Sequence, residues 1–247
     1  MSKKIIELKN ISFFYKDNLV LKNINLKIME GEKVALIGKS GSGKSTLLSI
    51  INGTFKPDQG EVRINDKILG IQDNYKRENI GIIWQDLRLI DDLSAEQNVN
   101  CGLLGKEKFL FTFKNLLNLV SFNKAHKCMK LLELNSNIFS QNLNNISGGQ
   151  KQRVAIARTL IQEPIILIAD EPFNNLDKRL SNNIKDLFLS KIKSYQITIP
   201  STTIVAMHNI NLLKGFTRII GIKNGEICLN VKKQKFKDYQ INKIYLK

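Results

Sequence analysis

The sequence predicts an α/β fold in which parallel strands carry chemistry at their carboxyl ends, and three observations support that. The apolar run Val34-Ala35-Leu36-Ile37 ends in a loop of glycine and serine, and a second run, Ile165-Ile166-Leu167-Ile168-Ala169, ends in two carboxylates. A third, Thr202-Thr203-Ile204-Val205-Ala206-Met207, ends at His208. Continuous apolar runs of this length suit strands buried on both faces, and open α/β sheets gather ligands beyond the carboxyl ends of such strands.

The first element follows directly from Met1-Ser2-Lys3-Lys4-Ile5-Ile6-Glu7, which enters a strand with no signal-peptide apolar core or cleavage site, so the chain is expected to stay in the cytoplasm. The next strand, Val34 to Ile37, opens into Gly38-Lys39-Ser40-Gly41-Ser42-Gly43-Lys44-Ser45-Thr46, which matches the phosphate-cradling pattern G-x-x-x-x-G-K-[ST]. Glycines 38, 41 and 43 let the backbone turn its N–H groups inward as a concave nest for phosphate oxygens. Lys44 places an ammonium near the β- and γ-phosphates, and Ser45 offers a hydroxyl to Mg²⁺. The helix beginning around Gly43 and continuing through Thr46-Leu47-Leu48-Ser49-Ile50-Ile51 points its positive end at the anion. This stretch predicts a grip on a nucleoside triphosphate.

A second glycine motif lies more than a hundred residues later: Ile146-Ser147-Gly148-Gly149-Gln150, followed by the helical run Lys151-Gln152-Arg153-Val154-Ala155-Ile156-Ala157-Arg158. Here the chain resembles the ATP-binding cassette (ABC) ATPases, whose signature usually reads Leu-Ser-Gly-Gly-Gln; Ile146 keeps the apolar anchor in the Leu place. Ser147 and the amides of Gly148 and Gly149 at a helix N-terminus make another anion site, while one chain needs only one γ-phosphate site. The resemblance implies that this second site, with Gln150, faces ATP held by a partner, so that two chains arranged head to tail sandwich two ATP molecules.

The run ending at Ala169 delivers Asp170 and Glu171 to the end of a buried strand, where adjacent residues of a regular strand point in opposite directions and so cannot share one task. The resemblance assigns Asp170 to Mg²⁺ through its water shell and Glu171 to polarising the attacking water. Pro172-Phe173-Asn174-Asn175-Leu176-Asp177 stands at the family's D-loop, commonly Ser-Ala-Leu-Asp; Leu176 and Asp177 match, Asn174 and Asn175 do not. By the same resemblance His208 is the switch histidine at the γ-phosphate, with Asn209 where an Asp often follows. Gln85, in Ile82-Ile83-Trp84-Gln85-Asp86, is the Q-loop glutamine that reaches metal and water when a transmembrane partner presses the domain closed. Tyr15, after Ser12-Phe13-Phe14, is the aromatic that stacks on adenine, as ring faces do on any base.

The resemblance covers nearly the whole of the 247 residues and implies a P-loop NTPase core with an antiparallel β subdomain and an inserted helical subdomain. Residues 1 to about 84 are expected to hold the β part and the phosphate loop, 86 to 158 the helical subdomain ending in the signature helix, 159 to 230 the rest of the parallel core, and 231 to 247 a short basic tail. The longest apolar stretch, from Phe109 to Val120, is interrupted by Lys114 and shorter than the ~20 residues a bilayer crossing needs. It is expected to pack the helical subdomain or to line a groove for a transporter's coupling helix. Cys101, Cys128 and Cys228 are far apart in sequence and form no metal or redox pattern. The net charge of +16 raises the possibility of nucleic acid, but 31 of the 38 basic residues are Lys and they are spread along the chain, so no specific nucleic-acid partner is expected.

A finer resemblance, carried by Ile50-Ile51-Asn52-Gly53, Arg218-Ile219-Ile220-Gly221-Ile222 and the ending Ile244-Tyr245, is to the phosphonate or phosphite importers. It implies an ATP-hydrolysing motor subunit with ATP and Mg²⁺ as cofactors. Such a subunit forms a homodimer on the cytoplasmic face of the cell membrane, partnered by permease subunits and an extracytoplasmic substrate-binding protein. The alternatives are a lipoprotein-release or cell-division type ABC ATPase, to which Asn175-Leu176-Asp177 is also similar, and a non-transport ABC ATPase.

Overall fold

Three strands of the computed structural model, β3 (Lys33–Ile37), β7 (Ile166–Asp170) and β8 (Thr202–Met207), are buried at every position, as their uninterrupted apolar composition requires. The structure describes residues 3–69, 79–107, 110–190 and 197–245. These fall into two compact units, the first comprising the described residues of 1–77, 168–171 and 201–247, the second those of 78–167 and 172–200.

The first unit holds two sheets. β1 (Lys4–Tyr15), β2 (Asn18–Met29), β4 (Gln59–Ile64) and β5 (Lys67–Ile68) form an antiparallel sheet of order β2-β1-β4-β5. Its period-two pattern is plain on β2, where Ile24, Leu26 and Ile28 are buried and Asn25 and Lys27 exposed. In the second sheet β3 pairs in parallel with β8 on one side and with β9 (Arg218–Lys223) on the other; β10 (Glu226–Lys232) returns antiparallel along β9, giving the order β10-β9-β3-β8-β7. The helix α1 (Lys44–Ile51) follows β3, so the glycine loop is stretched between a buried strand and a buried helix. The described chain closes with α7 (Asn242–Tyr245), whose Ile244 is buried against β9.

The second unit contains β6 (Ile80–Ile83), which runs beside the entry to β7 through a hydrogen bond from the Ile165 amide to the Asn79 carbonyl, and four helices: α2 (Ala95–Asn100), α3 (Leu110–Leu116), α4 (Asn123–Leu131) and α5 (Gly148–Leu160). A fifth, α6 (Lys178–Leu189), begins at an Asp177 N-cap that accepts from the Leu180 amide. α5 is the centre of this unit, burying Val154, Ala155, Ile156, Ala157 and Leu160. Backbones come very close beside it: a Cβ on Gly102 would stand 2.1 Å from the Arg158 carbonyl.

Among the described residues of the apolar run, 110–120, the large apolar side chains are mostly exposed. Leu110, Phe113, Leu116, Leu117 and Leu119 are all exposed, and the one buried residue of α3 is Asn115. Amides, not leucines, hold α3 in place. The Gln97 side-chain amide donates to the carbonyls of Asn115 and Leu116 and to the Asn118 Oδ1, and Asn115 donates back to the Gln97 carbonyl at 3.2 Å. Each buried amide is thus spent on backbone that would otherwise lack a partner.

Candidate nucleotide site

The glycine loop wraps its own cation. Lys44 is buried, and its Nζ donates to the carbonyls of Gly38 at 2.9 Å and Lys39 at 3.0 Å, so the ammonium sits inside the turn that precedes it. Burial pushes its pKa down; the nearby carboxylates of Glu171 and Asp170 push it up by less. α1 starts from Gly43 in the left-handed region (φ 105°) with no side-chain cap, a conformation that a residue with a Cβ would adopt only with strain. Gly38 is fixed by space, since a Cβ there would stand 2.5 Å from both the Ile222 carbonyl and the Ser42 Oγ.

Beside the loop, Ser45 lies close enough to the carboxylate of Asp170, at the end of β7, to oppose the rise of its pKa. Asp170 is buried, and its Oδ1 has no hydrogen-bond partner among the described residues. Burial, with some help from Glu171, raises its pKa above the ordinary carboxylate range against the opposing pull of Ser45 and Lys44. Two neighbouring hard oxygen donors, one with an unspent acceptor, are the kind of donor set that would fit a magnesium ion.

The alternation argument for the two carboxylates does not hold. β7 ends at Asp170, and Glu171 leaves the strand with a left-handed φ of 49° while its amide still donates to the Ala206 carbonyl of β8 at 3.0 Å. The break in geometry lets both carboxylates serve the same loop, since both act on Lys44. A non-glycine residue in this region costs about 1 kcal/mol or more and is held by its surroundings. His208, the first residue after β8, places Nδ1 3.5 Å from Glu171 Oε1. Its side chain is 60% exposed and that of Glu171 17%, so the imidazole reaches outward from a partly enclosed carboxylate. Tyr15 stands at the end of β1 with 61% exposure, opposite Asn18. Phe13 is occupied otherwise, stacked on Phe55 with centroids 5.3 Å apart, and Phe14 is exposed.

The remaining motif residues belong to the second unit. Ser147 caps α5 in a reciprocal box: its Oγ accepts from the Gln150 amide at 3.3 Å, and the Gln150 side chain accepts from the Ser147 amide at 2.7 Å. The Ser147 hydroxyl proton stays available for donation outward. Ser147 and Gly148 are exposed. A Cβ on Gly148 would meet nothing within 4 Å, whereas one on Gly149 would press to 2.8 Å on the Asn175 carbonyl. Asn175 itself has a φ of 61°, so the Asn-for-Ala departure in the D-loop places at that position a residue type that tolerates the left-handed region.

Gln85 lies exposed just beyond β6. Sequence reasoning missed what holds its loop. Leu87 and Arg88 both have positive φ, and the Arg158 guanidinium donates to both of their carbonyls, NH2 to Leu87 and NH1 to Arg88. Thr159 adds a bond from Oγ1 to the Ile82 carbonyl at 2.9 Å, and Arg88 lies over the Trp84 ring at 3.6 Å. Arg153, one turn nearer the signature, reaches the Glu133 carbonyl at 2.7 Å. The available signal was scarcity: a chain with 31 Lys and only 7 Arg spends two of them on α5, where the planar fork of a guanidinium holds two carbonyls in fixed geometry.

A family model described as "ABC transporter" matches residues 21–174. The phosphonates import ATP-binding protein PhnC of Fusobacterium nucleatum is 32% identical over 98% of this chain and 98% of its own length. An uncharacterized ABC transporter ATP-binding protein of Methanocaldococcus jannaschii, MJ0796, is 38% identical over 95% of this chain and all of its own. The dimeric, post-hydrolysis structure of the ATP-binding cassette MJ0796 bound to ADP and Pi superposes with a TM-score of 0.80 at 35% identity, covering 94% of this chain and 100% of that one. With a family match over more than half the chain and relatives aligned end to end, this protein belongs to the ABC transporter family, as an ATP-hydrolysing ABC ATPase motor subunit.

Proposed function

We propose that this ATPase powers import of a phosphonate or phosphite-like oxyanion, and that its hydrolytic centre is built from Lys44, Ser45, Asp170, Glu171 and His208. The observation that carries the centre is their placement around one loop: Lys44 inside the loop, Ser45 near Asp170, and Glu171 beside His208 at the ends of adjacent strands. The names of relatives such as PhnC support the substrate class.

In this reading Lys44 shifts its protons from the Gly38 and Lys39 carbonyls to β- and γ-phosphate oxygens, while the backbone amides of residues 39–46 receive the rest of the anion. Tyr15 stacks on the adenine ring. A magnesium ion, held by Ser45 and Asp170, would neutralise charge on the β- and γ-phosphates. Glu171 accepts a hydrogen bond from the attacking water and orients it in line with the bond from the γ-phosphorus to the bridging oxygen; that bond breaks as the new P–O bond forms. His208 donates to a γ-phosphate oxygen, stabilising charge that spreads there in the transition state.

Ser147, Gly148, Gly149 and Gln150 serve the ATP of a second copy, in keeping with the dimeric form of the solved relative and with the exposure of Ser147 and Gly148. Gln85 takes the coupling role toward a permease, and the exposed leucines of α3 are offered to the same partner. No helix among the described residues is long and apolar enough to cross a membrane, which fits a subunit that relies on a separate permease.

Glu171→Gln tests the centre. The variant should bind ATP with magnesium, turn over at least about a hundredfold more slowly, and elute as a dimer on gel filtration. Wild-type turnover in this variant would remove Glu171 from the mechanism. For the substrate class, the chain co-purified with its permease should show ATPase stimulated by a phosphonate-loaded binding protein. Stimulation by a lipoprotein or cell-division partner would replace the importer reading.

A further inference from the structure

The chain around Gln85 is gripped on both sides by the last turn of α5. Before it, Thr159 Oγ1 donates to the Ile82 carbonyl of β6 at 2.9 Å, and a Cβ on Gly81 would stand 2.7 Å from Thr159 Cγ2, so strand and helix lie together without slack. After it, the Arg158 guanidinium donates to the carbonyls of Leu87 and Arg88. Gln85 is exposed between these two fixed points.

The turn that Arg158 holds is uphill by itself. Leu87 and Arg88 have φ of 56° and 49°, left-handed values that disfavour a residue with a Cβ, and the Arg88 amide turns back on the Asp86 carbonyl at 2.6 Å. The Arg88 side chain then folds over the Trp84 ring, 3.6 Å from its centroid, and pairs with Asp86 at 3.3 Å. Trp84 and Arg88 thus close a loop of which Gln85 is an exposed part. Arg158 is fixed in turn by its own backbone, because the bare Gly102 packs where a Cβ would stand 2.1 Å from the Arg158 carbonyl.

We propose that Arg158 is a positioning residue for Gln85: it clamps the left-handed turn after Gln85 to α5, so that this helix, and not β6 alone, sets where the glutamine is presented. The clamp rests on the reading of Gln85 as the residue that couples to a permease. α5 begins at the Ser147 cap, about 16 Å from Arg158 at ~1.5 Å per residue, so one helix carries the signature at one end and the turn of Gln85 at the other. In that reading, a shift of Ser147 on meeting the ATP of a second copy moves the loop that meets the permease. Removing the guanidinium leaves the phosphate loop untouched but frees Leu87 and Arg88, and Gln85 loses its fixed place.

The test has two readouts. The first is turnover with ATP and magnesium by the chain co-purified with its permease, for Arg158→Met, Gln85→Ala and the pair. The second is emission of Trp84, the one tryptophan of the chain, in the purified chain alone. Arg158→Met should lower kcat about tenfold or more and leave KM for ATP within about twofold, the mark of a misplaced group and not of a damaged nucleotide site. Its Trp84 emission should shift to match that of Arg88→Ala, because the cation over the ring is released. The double variant should be no slower than Gln85→Ala, since Arg158 acts through Gln85. Arg158→Lys serves if the methionine variant does not fold: it keeps the charge but has one nitrogen in place of the fork, and should show both changes at smaller size. If Gln85→Ala slows turnover while Arg158→Met and Arg158→Lys match wild type, the clamp is wrong and the role of Gln85 stands. If Gln85→Ala turns over as wild type does, the reading of Gln85 fails and the clamp with it. Unchanged Trp84 emission, losses that multiply in the double variant, or a rise in KM with kcat intact would also overturn the clamp.

Discussion

The two glycine motifs both open a helix toward an anion, yet they are finished in opposite ways. At α1 the cap is a left-handed glycine with no side-chain partner, a buried ammonium fills the turn, and two carboxylates stand behind it. At α5 the cap is complete in itself: Ser147 and Gln150 satisfy each other's amides, Ser147 and Gly148 are exposed, and the nearest cation, Arg153, donates to the Gly149 carbonyl and to that of Glu133. The first is a site that one chain can use alone. In the proposed reading the second is half a site, stable while it waits and useful only when something is presented to it. The same local physics, a helix N-terminus with glycines, is finished differently because only at α1 does a buried ammonium sit inside the glycine turn itself.

The sharpest way to break that contrast is Lys44→Ala. It should lower ATP affinity of the isolated chain by about a hundredfold or more, since charge-assisted bonds to phosphate are lost along with the bonds that shape the loop. A similar loss on changing Ser147 would erase the distinction. Next in size is the pair Gly149→Ala and Gly148→Ala. The first drives a Cβ to 2.8 Å from the Asn175 carbonyl and should cost about 1–3 kcal/mol in urea unfolding, while the second meets open space and should cost only tenths, leaving its effect to hydrolysis in the dimer.

The smallest effect is the most specific. Because burial raises the pKa of Asp170, the folded protein holds that proton more tightly than the unfolded chain. Stability is therefore lost as pH rises from the unfolded value of 3.8 through the raised folded value, and the penalty is complete above it. Asp170→Asn should lift the melting temperature of the nucleotide-free protein at pH 7 by about 2–4 °C, with no gain below about pH 4, while ending magnesium-dependent turnover. A fall in melting temperature at pH 7 would mean that Ser45 and Lys44 outweigh burial.

Much of this was legible in the chain. Val34 to Ile37 and Thr202 to Met207 announced buried parallel strands because nothing but strand interior tolerates such runs, and the spacing of Gly38, Gly43 and Lys44 defined the loop before any coordinates. The reading ran out where backbone leaves its regular state. Strand alternation separated Asp170 from Glu171, yet the strand stops between them and a left-handed Glu171 undoes the period. Hydropathy left the stretch from Phe109 to Val120 either packing the helical subdomain or lining a groove, and among its described residues Gln97 and Asn115 anchor the segment by amide bonds and leave the leucines out, against the first of these. The seat of Ile244 was illegible for another reason: it packs on Gly221, distant in sequence, and no local pattern encodes a contact of that range.

Lys44 held by the carbonyls of Gly38 and Lys39 makes nucleotide capture an exchange, not an addition. An incoming molecule must offer the ammonium better acceptors than the two neutral ones it gives up, and only anionic oxygens at the depth of the β- and γ-phosphates do so. Adenosine, or a monophosphate too short to reach, would displace nothing. The loop thus filters for chain length of phosphate before any chemistry starts, and in a cell full of spent nucleotides that selection is worth as much as affinity.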